Sequence, residues 1–93
     1  LSQDMVLKIV DKEIALFNEK LSERAVQLEV TDACRRWILD KGYSPEFGAR
    51  EIARVVQQQF KKTLAEEVIF GKLAKGGKVI GDIKDGEISF TFV

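Results

Sequence analysis

Histidine is absent from this 93-residue sequence, and cysteine, proline, methionine, tryptophan and tyrosine occur once each. Without histidine, the usual zinc-ligand spacings and His-based catalytic triads are excluded. The single Cys34 has no partner for an internal disulfide, so a reducing cytoplasm is the expected setting. No apolar run approaches the roughly 20 residues that span a bilayer, and Leu1-Ser2-Gln3-Asp4 does not open like a signal peptide. Neither a membrane nor a secretory role is expected. An excess of one charge is lacking too: 15 Lys plus Arg balance 15 Asp plus Glu, so no global field draws the chain to nucleic acid or anionic lipid. The first residue is Leu1 rather than methionine, from which a fragment of a longer protein is expected.

What is present is the composition of one soluble domain, 45% hydrophobic and 32% charged, over residues 1–93. Val6, Val10, Ile14, Phe17 and Leu21 recur at helical spacing and predict a helix over about residues 3–23, with Ser2 as its N-cap. Val26, Leu28 and Val30 alternate with Gln27 and Glu29, as in a short strand with one buried face. A second helix is expected over about 32–41, entered through Thr31 and Asp32, with Ala33, Cys34, Trp37 and Ile38 inward and Gly42 as a left-handed cap. After the loop Tyr43–Gly48, a third helix should start near Ala49 or Arg50, bend or restart near Thr63 and stop at Gly71. Ile52, Val55, Val56, Phe60, Leu64, Val68 and Ile69 carry its apolar period. Asp85-Gly86 between Val79–Lys84 and Glu87–Val93 reads as a hairpin. The expected fold class is α+β, helices packed on one side of a small three-stranded sheet that ends in this β-hairpin.

The stretch that carries chemistry is Gly42-Tyr43-Ser44-Pro45-Glu46-Phe47-Gly48-Ala49-Arg50. Gly48 and Ala49 are small enough for a ligand or another backbone to come close. A helix start already carries about half a positive charge, so an arginine there asks for an anion. Either Glu46, Glu51 or another acidic side chain supplies it, or a phosphate or carboxylate from outside the chain does.

Gly42-Tyr43, Gly48-Ala49-Arg50, Ile52, Arg54 and the run Leu64-Ala65-Glu66-Glu67-Val68-Ile69-Phe70-Gly71 together resemble the small subdomain of the second AAA+ module of Clp/Hsp100 unfoldases, closest to the ClpA type. The likeness covers nearly the whole chain and implies the AAA+ lid fold. It implies that Arg50 is the sensor-II residue, reaching from the lid to the phosphates of ATP held mainly by a large subdomain outside this chain, with Mg in the parent protein. Gly48 and Ala49 would then allow close approach of the nucleotide. The implied partners are the large AAA+ subdomains of the same and the neighbouring protomer in a hexamer, a ClpP-type peptidase and substrate proteins. Glu51 departs from the pattern, since many relatives have proline there, and it is placed to screen Arg50.

No catalytic residue and no metal ligand is read in the chain. A hydrogen bond to a charged group is worth about 1.5–3 kcal/mol, whereas even millimolar binding needs about 4 kcal/mol. One arginine therefore cannot hold ATP, and the isolated chain is expected to be inert as an ATPase. Gly71, Gly76, Gly77 and Lys78 do not make a phosphate loop, because no Ser or Thr follows and a strand comes next. Cys34 and Trp37 are read as core. Two alternatives stand beside the motor reading: an oligomerisation module, and a winged-helix DNA-binding domain. The latter would use Arg50, Arg54, Gln57, Gln58 and Lys61 on base edges, against which stand the zero net charge and the carboxylates of Asp85 and Glu87 at the supposed wing tip.

Overall fold

The computed structural model describes residues 2–93. Its elements are α1 (Gln3–Ser22), β1 (Val26–Val30), α2 (Asp32–Gly42), α3 (Ile52–Val56), a π-helical turn (Gln57–Lys61), α4 (Lys62–Phe70), β2 (Gly77–Lys84) and β3 (Glu87–Phe92). The fold is the expected α+β one. Ser2 caps α1 by accepting from the Met5 N–H at 3.2 Å, and Thr31 caps α2 by accepting from the Cys34 N–H at 3.2 Å. Val6, Leu7, Val10, Ile14, Phe17 and Leu21 form the buried face of α1.

The sheet has the order β1-β2-β3, with β1 parallel and β3 antiparallel to β2. A parallel pair needs a crossover, and α2 through α4 provide it. Register puts Leu28 beside Val79, Val79 beside Phe92, Gly81 beside Phe90 and Ile83 beside Ile88, so these apolar side chains share the face that the helices cover. The opposite face carries Gln27, Glu29, Asp82 and Lys84, all exposed, and the Lys78–Glu29 ion pair at 3.0 Å. At the hairpin Asp85 (φ 54°) and Gly86 (φ 80°) make the two-residue turn with both φ positive, as the Asp-Gly pair requires.

Phe60, fully buried, knits the layers together. Its ring meets Phe17 of α1 edge-on at 6.1 Å and Phe90 of β3 at 5.6 Å. Gly81 leaves room beside this cluster, since a Cβ there would touch Val30, Phe90 and the Cys34 sulfur at 3.4–3.8 Å.

Several local expectations need correction. Gly42 closes α2 without a positive φ; its lack of a side chain matters because a Cβ would stand 2.9 Å from the Ile52 Cα. The adjustment in the third helix is not a bend at Thr63 but the wide turn Gln57–Lys61. Val56, Phe60, Leu64 and Val68 recur every four residues, each step overshooting an α-helical turn by about 40°. A π turn winds more slowly and keeps Phe60 and Leu64 inside. Ala33 is exposed while Leu39 is buried. Trp37 is half-buried, its indole N–H donating to the Gly86 carbonyl at 2.9 Å, so it braces the hairpin instead of filling the core. Ile69 is 55% exposed, and Leu73, in the turn after α4, is buried in its stead.

Candidate functional site

The loop before α3 is held by its own backbone. Ser44 and Gly48 exchange hydrogen bonds, Ser44 N–H to the Gly48 carbonyl at 3.0 Å and Gly48 N–H to the Ser44 carbonyl at 2.7 Å, and Ser44 Oγ accepts from the Phe47 N–H at 3.0 Å. Gly48 takes φ 63°, and a Cβ placed on it would meet nothing within 4 Å. Within this chain glycine is therefore required by conformation, while the space in front of it is open. Ala49 packs against the core from a half-buried position.

Arg50 lies in the turn that leads into the helix, not in its first turn as expected. The Ile52 N–H bonds to the Ala49 carbonyl at 3.2 Å, a tight three-residue step, and regular helix begins at Ile52. Arg50 nevertheless stands at the positive end of a helical run that continues through the π turn to Phe70. Its side chain is exposed and forms no hydrogen bond or ion pair among the described residues. Neither Glu46 nor Glu51 supplies its anion: Glu51 pairs with Arg54, which also donates to Gln58 Oε1 at 3.2 Å. The acidic residue placed to screen Arg50 is thus engaged on the other side. Phe47, 49% exposed on the same loop, was not singled out from sequence. A signal for it was available, since an aromatic inside a proline-containing loop has no periodic partner to bury it.

The remaining candidate groups have internal roles. Lys78 pairs with Glu29 rather than facing an anion, and a Cβ on Gly76 would come within 2.8 Å of the Ala25 carbonyl oxygen, so that glycine serves packing. Cys34 is fully buried, and burial, with Asp82 nearby, pushes its thiol up to about 11. Among the described residues no group of His, Cys, Asp and Glu is arranged to hold a metal, and no helix is long and apolar enough to cross a membrane.

Residues 1–80 match the family of the C-terminal, D2-small domain of ClpB protein. The chain belongs to this D2-small family. A ClpA homolog protein of Fuscovulum blasticum is 41% identical over 88 residues, 95% of this chain and 11% of that protein. Chaperone protein ClpB of Corynebacterium efficiens is 38% identical over 86 residues, covering 92% of the chain and 10% of the relative, and that of Aquifex aeolicus is 39% identical over 83 residues, covering 89% and 8%. The chain thus spans about a tenth of the length of these curated relatives. Membership places this chain with Clp-type chaperones and displaces the winged-helix reading. The side chains agree with that: in this D2-small domain Arg54, one of the would-be base readers, bonds to Glu51 and donates to Gln58, another of them, and Gln57 sits half-buried in the π turn.

Proposed function

We propose that this D2-small domain is the lid of an ATP-driven Clp-type chaperone and that Arg50 is its nucleotide-sensing residue. The observation that carries the reading is Arg50 itself: an exposed guanidinium without an internal partner, beside the open space at Gly48, at the positive end of the helical run that starts with α3. A phosphate there would receive the guanidinium as a charge-assisted donor. ATP with Mg, held mainly by a large subdomain of the parent protein, would supply the triphosphate. Ser44, Gly48 and the Ala49–Ile52 turn fix the height of Arg50 above the core. Through that anchor a change at the phosphates turns the lid as a body. Contact with the large subdomain of the neighbouring protomer in a hexameric ring, and exposed Phe47 as part of that contact, belong to the same proposal. Delivery of substrate proteins to a ClpP-type peptidase enters through the ClpA likeness alone.

The test is Arg50→Ala in the full-length protein. Losing one hydrogen bond to a charged group should weaken nucleotide binding, or slow turnover, by about tenfold to a hundredfold, while the circular dichroism spectrum stays that of the wild type. Unchanged affinity and turnover in a folded variant overturn the reading.

A further inference from the structure

A second set of cations without ion-pair partners among the described residues lines a groove that does not include Arg50. Between the C-terminal end of α1 and α4 runs an open groove of about 230 Å³. Lys20, Arg24 and Lys61 stand on its rim, and Ala65, Val68 and Ile69 contribute to its apolar floor and wall. None of these three cations forms an ion pair among the described residues, and no aspartate or glutamate lines the groove. In a chain whose charges balance 15 to 15, the lining of this groove carries charge of one sign around apolar surface. Carboxylates brought by a ligand would be complementary to this rim.

Shape and backbone chemistry narrow the occupant. The volume falls below the roughly 300–1,000 Å³ of pockets that enclose cofactors and drug-sized ligands, so the groove suits one or two aliphatic side chains, not a nucleotide. Its lining comes from helices and the turn after α1, so no strand edge offers backbone pairing. A bound segment must satisfy its own N–H and C=O groups, as a helix does. We propose that this groove docks an acidic amphipathic helix of a partner protein, with aliphatic side chains on Ala65, Val68 and Ile69 and flanking carboxylates on Lys20, Arg24 and Lys61. The π turn contributes directly: it buries Phe60 while setting Gln57 and Lys61 along the groove.

The probe is a fluorescein-labelled alanine-based helix with leucines at i and i+4 and glutamates beside them, titrated against the chain and followed by anisotropy. Saturable binding that weakens with added salt is expected. The double variant Lys20→Glu/Arg24→Glu should lose about tenfold in affinity or more, and Ile69→Ser should also weaken binding. All these positions are exposed, so circular dichroism should report unchanged folding. Arg50→Ala should bind the probe like the wild type, which separates this site from nucleotide sensing. Absence of saturable binding overturns the proposal. So does equal binding of probes with Glu→Gln or Leu→Ala changes, or equal competition by duplex DNA or anionic phosphatidylserine vesicles, which would make the groove a general anion surface.

Discussion

Asn18 gives both ends of its side-chain amide to Leu28: Nδ2 donates to the Leu28 carbonyl at 2.7 Å, and Oδ1 accepts from the Leu28 N–H at 2.8 Å. β1 is an edge strand, and a free edge invites pairing with another chain. A helix side chain here takes the place of the missing strand at one residue. Replacing Asn18 by Leu should destabilise the domain by about 1–3 kcal/mol, because two part-buried backbone groups lose their partners. A urea titration measures this, and faster amide exchange at Leu28 than in the wild type would locate it. Unchanged stability would mean that water replaces the amide at no net loss.

Gly42 and Gly48 should fail for different reasons when changed to Ala. At Gly42 a Cβ would press on the Ile52 backbone at 2.9 Å, and overpacking of a tight helix contact costs about 1–3 kcal/mol. At Gly48 there is ample space, and the loss of about 1–2 kcal/mol comes from φ 63° alone. Asn, which tolerates that conformation, should restore most of the stability at Gly48 and none at Gly42. If Asn fails equally at both, steric crowding and not backbone conformation governs the loop.

These contacts mark how far the sequence could be read. Periodicity located α1, β1, α2 and the hairpin within a residue or two, because Val6 to Leu21 and Ile88 to Phe92 repeat cleanly and Asp85-Gly86 has one preferred turn. The α3–α4 segment was legible in its apolar positions but not in its π turn, which answers to Phe60 fitting between Phe17 and Phe90, a requirement set by distant residues. The parallel pairing of β1 with β2 and the Asp11–Arg35 bridge from α1 to α2 are likewise long-range. Arg50 stood out as a misplaced charge in the sequence. Its freedom depended on which of two arginines Glu51 would choose, and only side-chain placement decides that.

Acid should loosen the start of α2 and its tie to β2. Asp32 is held below its ordinary 3.8, first by its hydrogen bond with Arg36, and Asp82 likewise, first by the hydrogen bond from Thr31 and then by the Ile83 N–H. A carboxyl whose folded pKa is depressed contributes stability that is present above its unfolded value and lost as pH falls through the folded one. Urea midpoints should therefore fall once pH drops below about 3.8, and the decline should be shallower in Asp82→Asn and Asp32→Asn. Parallel pH profiles in wild type and both variants would remove these groups from the acid response.

Base should act through Cys34. Its thiol is raised from 9.0 to about 11, chiefly by burial, so between those values the unfolded chain releases a proton that the folded chain keeps. Stability is then unaffected well below pH 9 and falls as pH rises toward 11. The informative quantity is the difference between wild type and Cys34→Ala. The variant starts less stable because a cavity replaces the sulfur beside Ile38 and Gly81, yet it should lose less between pH 8 and pH 10 in matched urea titrations. The same burial predicts that a thiol reagent at pH 8 modifies the native chain only as fast as it opens, and that urea accelerates the reaction in step with unfolding. Labelling of the folded chain at the rate of an exposed cysteine would show that α2 opens away from the sheet without global unfolding. The thiol would then report motion of the helix whose end, at Gly42, abuts the start of α3.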